Sequence, residues 1–306
     1  MKMIRYLFSL TTGLLIIVAS VQAQNQPGID STGLPGDNFD LQGALQMFRD
    51  ASSPEDFEKA INTEGNHVNN LDLNGDGDID YVRVISKKDN DVHVFILQVP
   101  VSEKENQDIA VIELEKTGDT TAVLQIIGDE DIYGEQVIVE PDGGGDDAAF
   151  NNYSNNNNLS GPNAGFDIAI PRVVINVWFW PGVRFVYAPV YRPWISPWLW
   201  HHYPGWWRPW RPFTWHVWHP FRLHYHHPFA VVHTHRVVHA HRIYTPVRTT
   251  SVIVRNRHSA SVNNYRVTRS KTTVTGPRGN SATVRKTTVT GPRGKTKTTK
   301  VKVRRH

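Results

Sequence analysis

The chain has 306 residues, with 33 Lys and Arg against 29 Asp and Glu, and it contains no cysteine, which excludes a disulfide framework and a thiol nucleophile. The near balance of charge conceals a segregation: every acid lies at or before Asp167, and 24 of the 33 bases follow it. Between Gln24 and Asp167 there are 29 acids and seven bases, a net charge of −22, whereas the part beyond carries +24, which points to an oppositely charged partner or to docking of one half on the other.

Residues 1–23 have the three parts of a secretory signal. Lys2 and Arg5 form the positive start, Leu7 to Val21 is mostly apolar, and Val21-Gln22-Ala23 offers small residues at the two positions a signal peptidase reads. Cleavage near Ala23 predicts a secreted, periplasmic or cell-surface protein. No later segment reaches the ~18 uninterrupted apolar residues of a spanning helix, so no transmembrane segment is expected after cleavage.

Residues 24–37 form a polar lead expected to be disordered. Two short helices are predicted next. Leu41, Leu45 and Phe48 share one helical face, and Ser53-Pro54-Glu55-Asp56 supplies an N-cap, a first-turn proline and acids suited to a helix N-terminus, ahead of buried Phe57 and Ile61. From Asp80 onward the pattern turns to strands: Tyr81 to Ile85, Val92 to Val99, Ile109 to Leu114, Ala122 to Ile127 and Gln136 to Val139, separated by short Gly/Asp/Asn turns. Such short connections require antiparallel pairing. The predicted fold class is therefore α+β, with two short helices and an antiparallel β-meander forming one acidic domain over residues 38–141. Several strands are apolar on both faces and need cover on both sides. The helices are expected over one face and Pro171 to Tyr191 over the other.

Residues 142–167, rich in Gly and Asn, are expected to be a flexible linker. Residues 168–250 hold all ten tryptophans and 11 of the 15 histidines, with many prolines, which predicts an irregular aromatic segment, with Pro171 to Trp180 as its one candidate strand. Residues 251–306 form a basic, Thr-rich tail expected to be disordered or weakly β-forming. Within it Lys271-Thr-Thr-Val-Thr-Gly-Pro-Arg-Gly279 recurs from Lys286 to Gly294.

Three constellations carry chemistry. Asp72-Leu-Asn74-Gly-Asp76-Gly77-Asp78-Ile79-Asp80 sets oxygen donors at positions 1, 3, 5 and 9 around a glycine turn, a spacing at which a hard cation relieves the repulsion of its acids. This D-x-N-x-D-G-x-x-D loop resembles the calcium loops of EF-hands, dockerins and FG-GAP repeats. The resemblance covers nine residues and implies Ca²⁺ held by Asp72, Asn74, Asp76 and Asp80 side chains and the Asp78 carbonyl. It departs from an EF-hand at position 12, where Arg83 stands in place of a bidentate Glu. The alternative is an Asx-rich turn without metal.

The second is the pair Val-Val-His233-Thr-His235-Arg and Val-Val-His239-Ala-His241-Arg. If extended, it places four imidazoles on one face, a potential Zn²⁺ or Cu²⁺ site, although no carboxylate lies near unless the N-terminal domain supplies one. The third is Trp206-Trp207-Arg208-Pro-Trp210-Arg211, which could stack and pair with a ligand or pack internally. Segments such as Pro197 to Trp207 resemble Trp/Pro/Tyr-rich stretches of uncharacterised exported bacterial proteins.

No nucleophile elbow, H-E-x-x-H helix or phosphate-binding glycine loop is present, and Glu113 and Glu115 alternate with Ile112 and Leu114 as on a solvated strand face. The expectation is a non-enzymatic exported interaction or structural protein. Its basic aromatic segment would bind an acidic polysaccharide, lipopolysaccharide, another polyanion or its own acidic domain. A His-rich metal-binding protein is the alternative, and nucleic-acid binding by the basic tail is a third reading that export disfavours.

Overall fold

The computed structural model describes residues 31–142, 174–275, 281–290 and 296–304. The expected signal peptide, most of the lead and, from residue 143 onward, the Gly/Asn-rich linker lie outside the described residues.

Both predicted helices form. α1 (Leu41–Asp50) is capped by Asp40, whose carboxylate accepts from the Gln42 N–H, and α2 (Pro54–Ile61) by Ser53, whose hydroxyl accepts from the Asp56 N–H. All five predicted strands are present as β1 (Arg83–Asp89), β2 (Val92–Pro100), β3 (Asn106–Gly118), β4 (Thr121–Gly128) and β5 (Val137–Pro141). They pair in sequence order, every pair antiparallel, as the short turns require. A four-residue helix, α3 (Glu130–Tyr133), occupies the turn before β5. The fold is α+β.

Several boundaries differ from those expected. The lead does not stay loose up to Asp37: the Asp37 carboxylate accepts hydrogen bonds from the Thr32 and Gly33 N–H groups and from the Ser31 and Thr32 hydroxyls, and Leu34 is buried. The basic aromatic segment does not stand apart from the acidic domain. Its β6 (Phe229–Val232) pairs with β5 as the sixth strand of the same sheet. It also forms α4 (Pro181–Val186), α5 (Trp215–Arg222) and α6 (Val238–Tyr244); of the strand expected over 171–180, residues 171–173 lie outside the described residues, 174–177 form no regular element and 178–180 turn. The presumed tail starts with a 13-residue helix, α7 (Val252–Asn264), capped by Ser251 and tied to the core by fully buried Val254. Beyond it β7 (Arg266–Thr275), β8 (Ser281–Thr290) and β9 (Thr296–Arg304) make a separate three-stranded antiparallel sheet.

The six-stranded sheet has two covered faces. On the first, Phe95, Ile112, Ile126 and Val139 stand in register and pack under α1 and α2 with Phe48, Phe57 and Ile61. The 177–191 segment joins this same side, against expectation: Val177, Val183 and Val186 belong to the same core. Gly182 permits that approach, because a Cβ there would lie 2.5 Å from the Phe48 carbonyl oxygen. The second face is covered by residues 233–249, a strap containing α6. Its Val237, Ala240 and Tyr244 pack on Val94, Ile96, Val111, Ile127 and Ile138.

One buried carboxylate ties the aromatic segment to the helices. Glu58 of α2 accepts from the Tyr81 and Ser196 hydroxyls, the Val84 N–H and the Trp194 indole N–H, all within 2.8–3.0 Å. Trp194 and Ser196 in turn pair with the backbone of β1, closing that sheet edge.

Candidate metal centre

β3 presents Glu113 and Glu115 to the second face, where the strap descends on them. The Glu113 side chain has no solvent exposure and that of Glu115 has 12 %. The expected solvated strand face is therefore wrong. Alternation with Ile112 and Leu114 is equally what a sheet buried on both sides produces when a polar layer covers one of them.

Two imidazoles converge on Glu113. His235 Nε2 lies 2.6 Å from Oε2 and His241 Nδ1 lies 2.8 Å from Oε1. The rings meet edge to face, centroids 4.5 Å apart. Donor and acceptor roles in these two contacts follow the tautomer of each ring: a ring that carries its proton on the facing nitrogen donates to the carboxylate. Among the described residues this is the one place where three His, Asp or Glu ligand atoms lie within 4.8 Å of one another. The neighbouring contacts fix the strap. His239 Nδ1 lies 3.1 Å from Glu115 Oε2, and the Ala240 N–H donates to Glu115 Oε1 at 2.8 Å. Along the row from Glu113 to β4 and β5, Gln125 donates to Glu140 and to the Thr234 carbonyl. Arg236 completes the set, its Nε 3.0 Å from Glu140 and its N–H bonded to Gln125.

Of the four histidines expected on one extended face, the structure brings only His235 and His241 together. Residues 238–244 are helical, so the period of two does not hold, and His239 turns to Glu115 while His233 is exposed. The missing carboxylate does come from the N-terminal domain, about 120 residues away in sequence. The sequence signal for it was the run of acids sharing one strand parity, Glu113 and Glu115, opposite a basic segment that has no acids of its own.

The aspartate loop folds as its glycines require: Gly75 and Gly77 have φ of 71° and 89°. Leu73 and Ile79 anchor it in the interior. Its acids bind the loop backbone. Asp72 accepts from the Gly75 and Gly77 N–H groups, Asn74 from Asp76, Asp76 from Asp78, and Asp80 from Leu73. Burial pushes Asp80 up to about 8, and the charges of Asp72 and Asp76 add to the shift. Cations of the basic half approach the loop: the Arg257 guanidinium packs against Gly75, and Arg211 lies beyond Gly77.

The expected aromatic binding set is split. Trp207 is buried edge-on against Tyr81 and Tyr203, and half-buried Trp210 gives its carbonyl to the Ile79 N–H, so neither is a free platform. Indoles of this size bury themselves when a neighbouring aromatic pocket exists. Trp206 stays 47 % exposed beside Lys59, with Arg208 and Arg211 exposed nearby.

Comparison with protein-family models, with curated proteins and with solved structures gives no match. Among the described residues no helix is long and apolar enough to cross a membrane.

Proposed function

We propose that this is an exported, non-enzymatic protein that binds a transition metal, Zn²⁺ or Cu²⁺, through Glu113, His235 and His241. The convergence of two imidazole nitrogens on one buried carboxylate carries the reading. Imidazole and carboxylate together suit these ions, and a dense acceptor shell around the strap fixes where both rings stand before any ion arrives. Export rests on the N-terminal signal pattern. Equilibrium dialysis against Zn²⁺ and Cu²⁺ at neutral pH tests the reading. The full chain should take up one ion that a His235→Gln, His241→Gln double variant loses and a His202→Gln control retains. Equal uptake by all three would mean that the many other histidines, and not this centre, bind the ion.

A second reading concerns the outer surface. Arg184, Arg192, Arg208 and Arg211 are exposed, and among the described residues none of them pairs with an acid. With exposed Trp206 they support contact with a polyanion such as an acidic polysaccharide or lipopolysaccharide. Two further arginines are directed inward: Arg236 pairs with Glu140, and Arg248 with Asp129 and Asp131, of the chain's own sheet domain. The aspartate loop is proposed as a separate, structural Ca²⁺ site.

A further inference from the structure

We infer that an ion at Glu113, His235 and His241 keeps one coordination position open to solvent and takes an anionic oxygen ligand, a carboxylate or a phosphate, from solution. This inference rests on the metal reading proposed above.

Ligand count comes first. Structural zinc sites are closed by four protein ligands, whereas sites with three keep the fourth position for water or an incoming group. Among the described residues only three candidate ligand atoms gather at this centre. His239, the next histidine along the strap, is held by Glu115 at 3.1 Å and stands outside the group.

Geometry comes second. Ligand atoms of a tetrahedral zinc shell with bonds of ~2.1 Å lie about 3.4 Å apart. The present N–O separations are 2.6 and 2.8 Å, so to admit an ion each ring must withdraw from Glu113 and carry its proton on the other ring nitrogen, leaving the facing nitrogen's lone pair for the metal. Glu113 is fixed within the sheet, and the movement therefore falls on the rings. Their side chains are 24 % and 29 % exposed, which gives them room on the outward side. The carboxylate approaches from the sheet below and the perpendicular rings flank it, so the vacant vertex points away from the sheet, where the exposed edges of both rings lie.

Charge comes third. A divalent ion with one carboxylate and two neutral imidazoles has a net charge of +1. Of the flanking arginines, Arg236 is neutralised by Glu140, whereas Arg242 is exposed beside His241 and forms no ion pair among the described residues. Glu115, the next acid along β3, already receives His239 and the Ala240 N–H. An anionic oxygen at the vacant vertex cancels the excess charge at a half-buried site, where the interaction is stronger than in bulk water.

Cobalt substitution tests this on the full chain, because Co²⁺ takes the same ligands and its visible bands report coordination number. One equivalent of Co²⁺ should give bands that depend on His235 and His241. Millimolar acetate or inorganic phosphate, added at constant ionic strength against a chloride control, should then shift those bands saturably, and the two titrations show which oxygen class binds more tightly. Cobalt bands that depend on both histidines yet ignore acetate and phosphate would overturn the open position while leaving the metal reading intact. Bands unchanged in the His235→Gln, His241→Gln variant would remove both. The His202→Gln variant should behave as the unaltered chain, which separates loss of ligands from general depletion of histidine.

Discussion

On the helix-covered face of the sheet, the cross-strand row Phe95, Ile112, Ile126 and Val139 contains no polar side chain. One residue along, on the strapped face, the row runs Val94, Glu113 and Gln125, with Glu140 bonded to Gln125 from β5. The strands and register are the same, yet the first row excludes water by hydrocarbon packing alone, whereas the strapped face adds to its apolar contacts a partner from the basic half for its acids. The difference teaches where the charge segregation is used. Acids that would repel one another in the sheet domain alone are each answered by a group of the strap: Glu113 by two histidines, Glu115 by His239, Glu140 by Arg236, Asp108 by Tyr244 and the Thr249 N–H, and Asp129 by Arg248. A hydrocarbon row holds its cover by area. The strapped face adds matching to area, and so it specifies which residue of the strap sits where.

The sharpest way to test the contrast is to damage each face in its own currency. Phe95→Ala on the first face removes a fully buried ring in contact with Phe48 and should cost about 4 kcal/mol. Arg248→Met on the second leaves Asp129, 2 % exposed, without its guanidinium, at a cost of about 3 kcal/mol, the lower end for a broken buried pair because Arg248 is itself 28 % exposed. Denaturant unfolding measures both. A cost for Arg248→Met below ~0.5 kcal/mol, the scale of a surface pair, would mean that the strap is held by its apolar contacts alone.

The faces should also answer pH in opposite senses. His93, on the first face between Tyr187, Tyr191 and Phe95, is pushed down from 6.5 to about 4, by burial first and by Lys88 second. Its folded form is neutral, so the stability it contributes is present above pH 6.5 and is lost as pH falls through 4. Asp108, on the strapped face, is pushed up from 3.8 to about 6 by burial, which outweighs its hydrogen bonds from Gln98, Thr249 and Tyr244. Its folded form prefers the proton, so its contribution is full below pH 3.8 and is lost as pH rises through 6. Relative to the unaltered chain, His93→Leu should gain about 2 to 3 kcal/mol on going from pH 7 to pH 4, and Asp108→Asn should gain a similar amount on going from pH 4 to pH 7. Parallel pH profiles for the two variants would contradict the assignment of opposite environments.

The same contrast explains how much could be read from the residues alone. The first face was legible because its signals are local: Leu41, Leu45 and Phe48 at helical spacing, Ser53 as a cap, β-branched runs between Asp and Gly turns. The second face was not, because Glu113 looks the same whether it faces water or a strap, and the choice is made by residues more than a hundred positions later. Proline density over residues 168–250 hid α4 to α6 for a related reason, and α7 was hidden in a stretch read as basic tail. Three of these four helices have only six to eight residues, and tertiary contacts hold them more than helix propensity does. The histidine pairs were recognised as candidate ligands, but their geometry depended on residues 238–244 turning helical over the sheet. The turn of the aspartate loop was legible, since nine residues contain both its capping acids and its glycines.

That locality makes the loop the smallest effect and the cleanest control. It stands at the start of β1 and answers its own charge with its own backbone, independently of the strap. If Ca²⁺ binds there with a dissociation constant on the order of 10⁻³ M, as in extracellular modules, then 10 mM Ca²⁺ stabilises the folded chain by about 1.4 kcal/mol. For a body of this size that raises the melting temperature by about 3 to 5 °C. Asp76→Ala should abolish the rise while leaving the Co²⁺ bands of the histidine centre unchanged, because Asp76 is exposed and bonds only within its own loop. A calcium-dependent rise that survives Asp76→Ala would place the ion elsewhere among the acids of the sheet. In that case the matching of the second face would be incomplete, and a cation would have to supply what the strap does not.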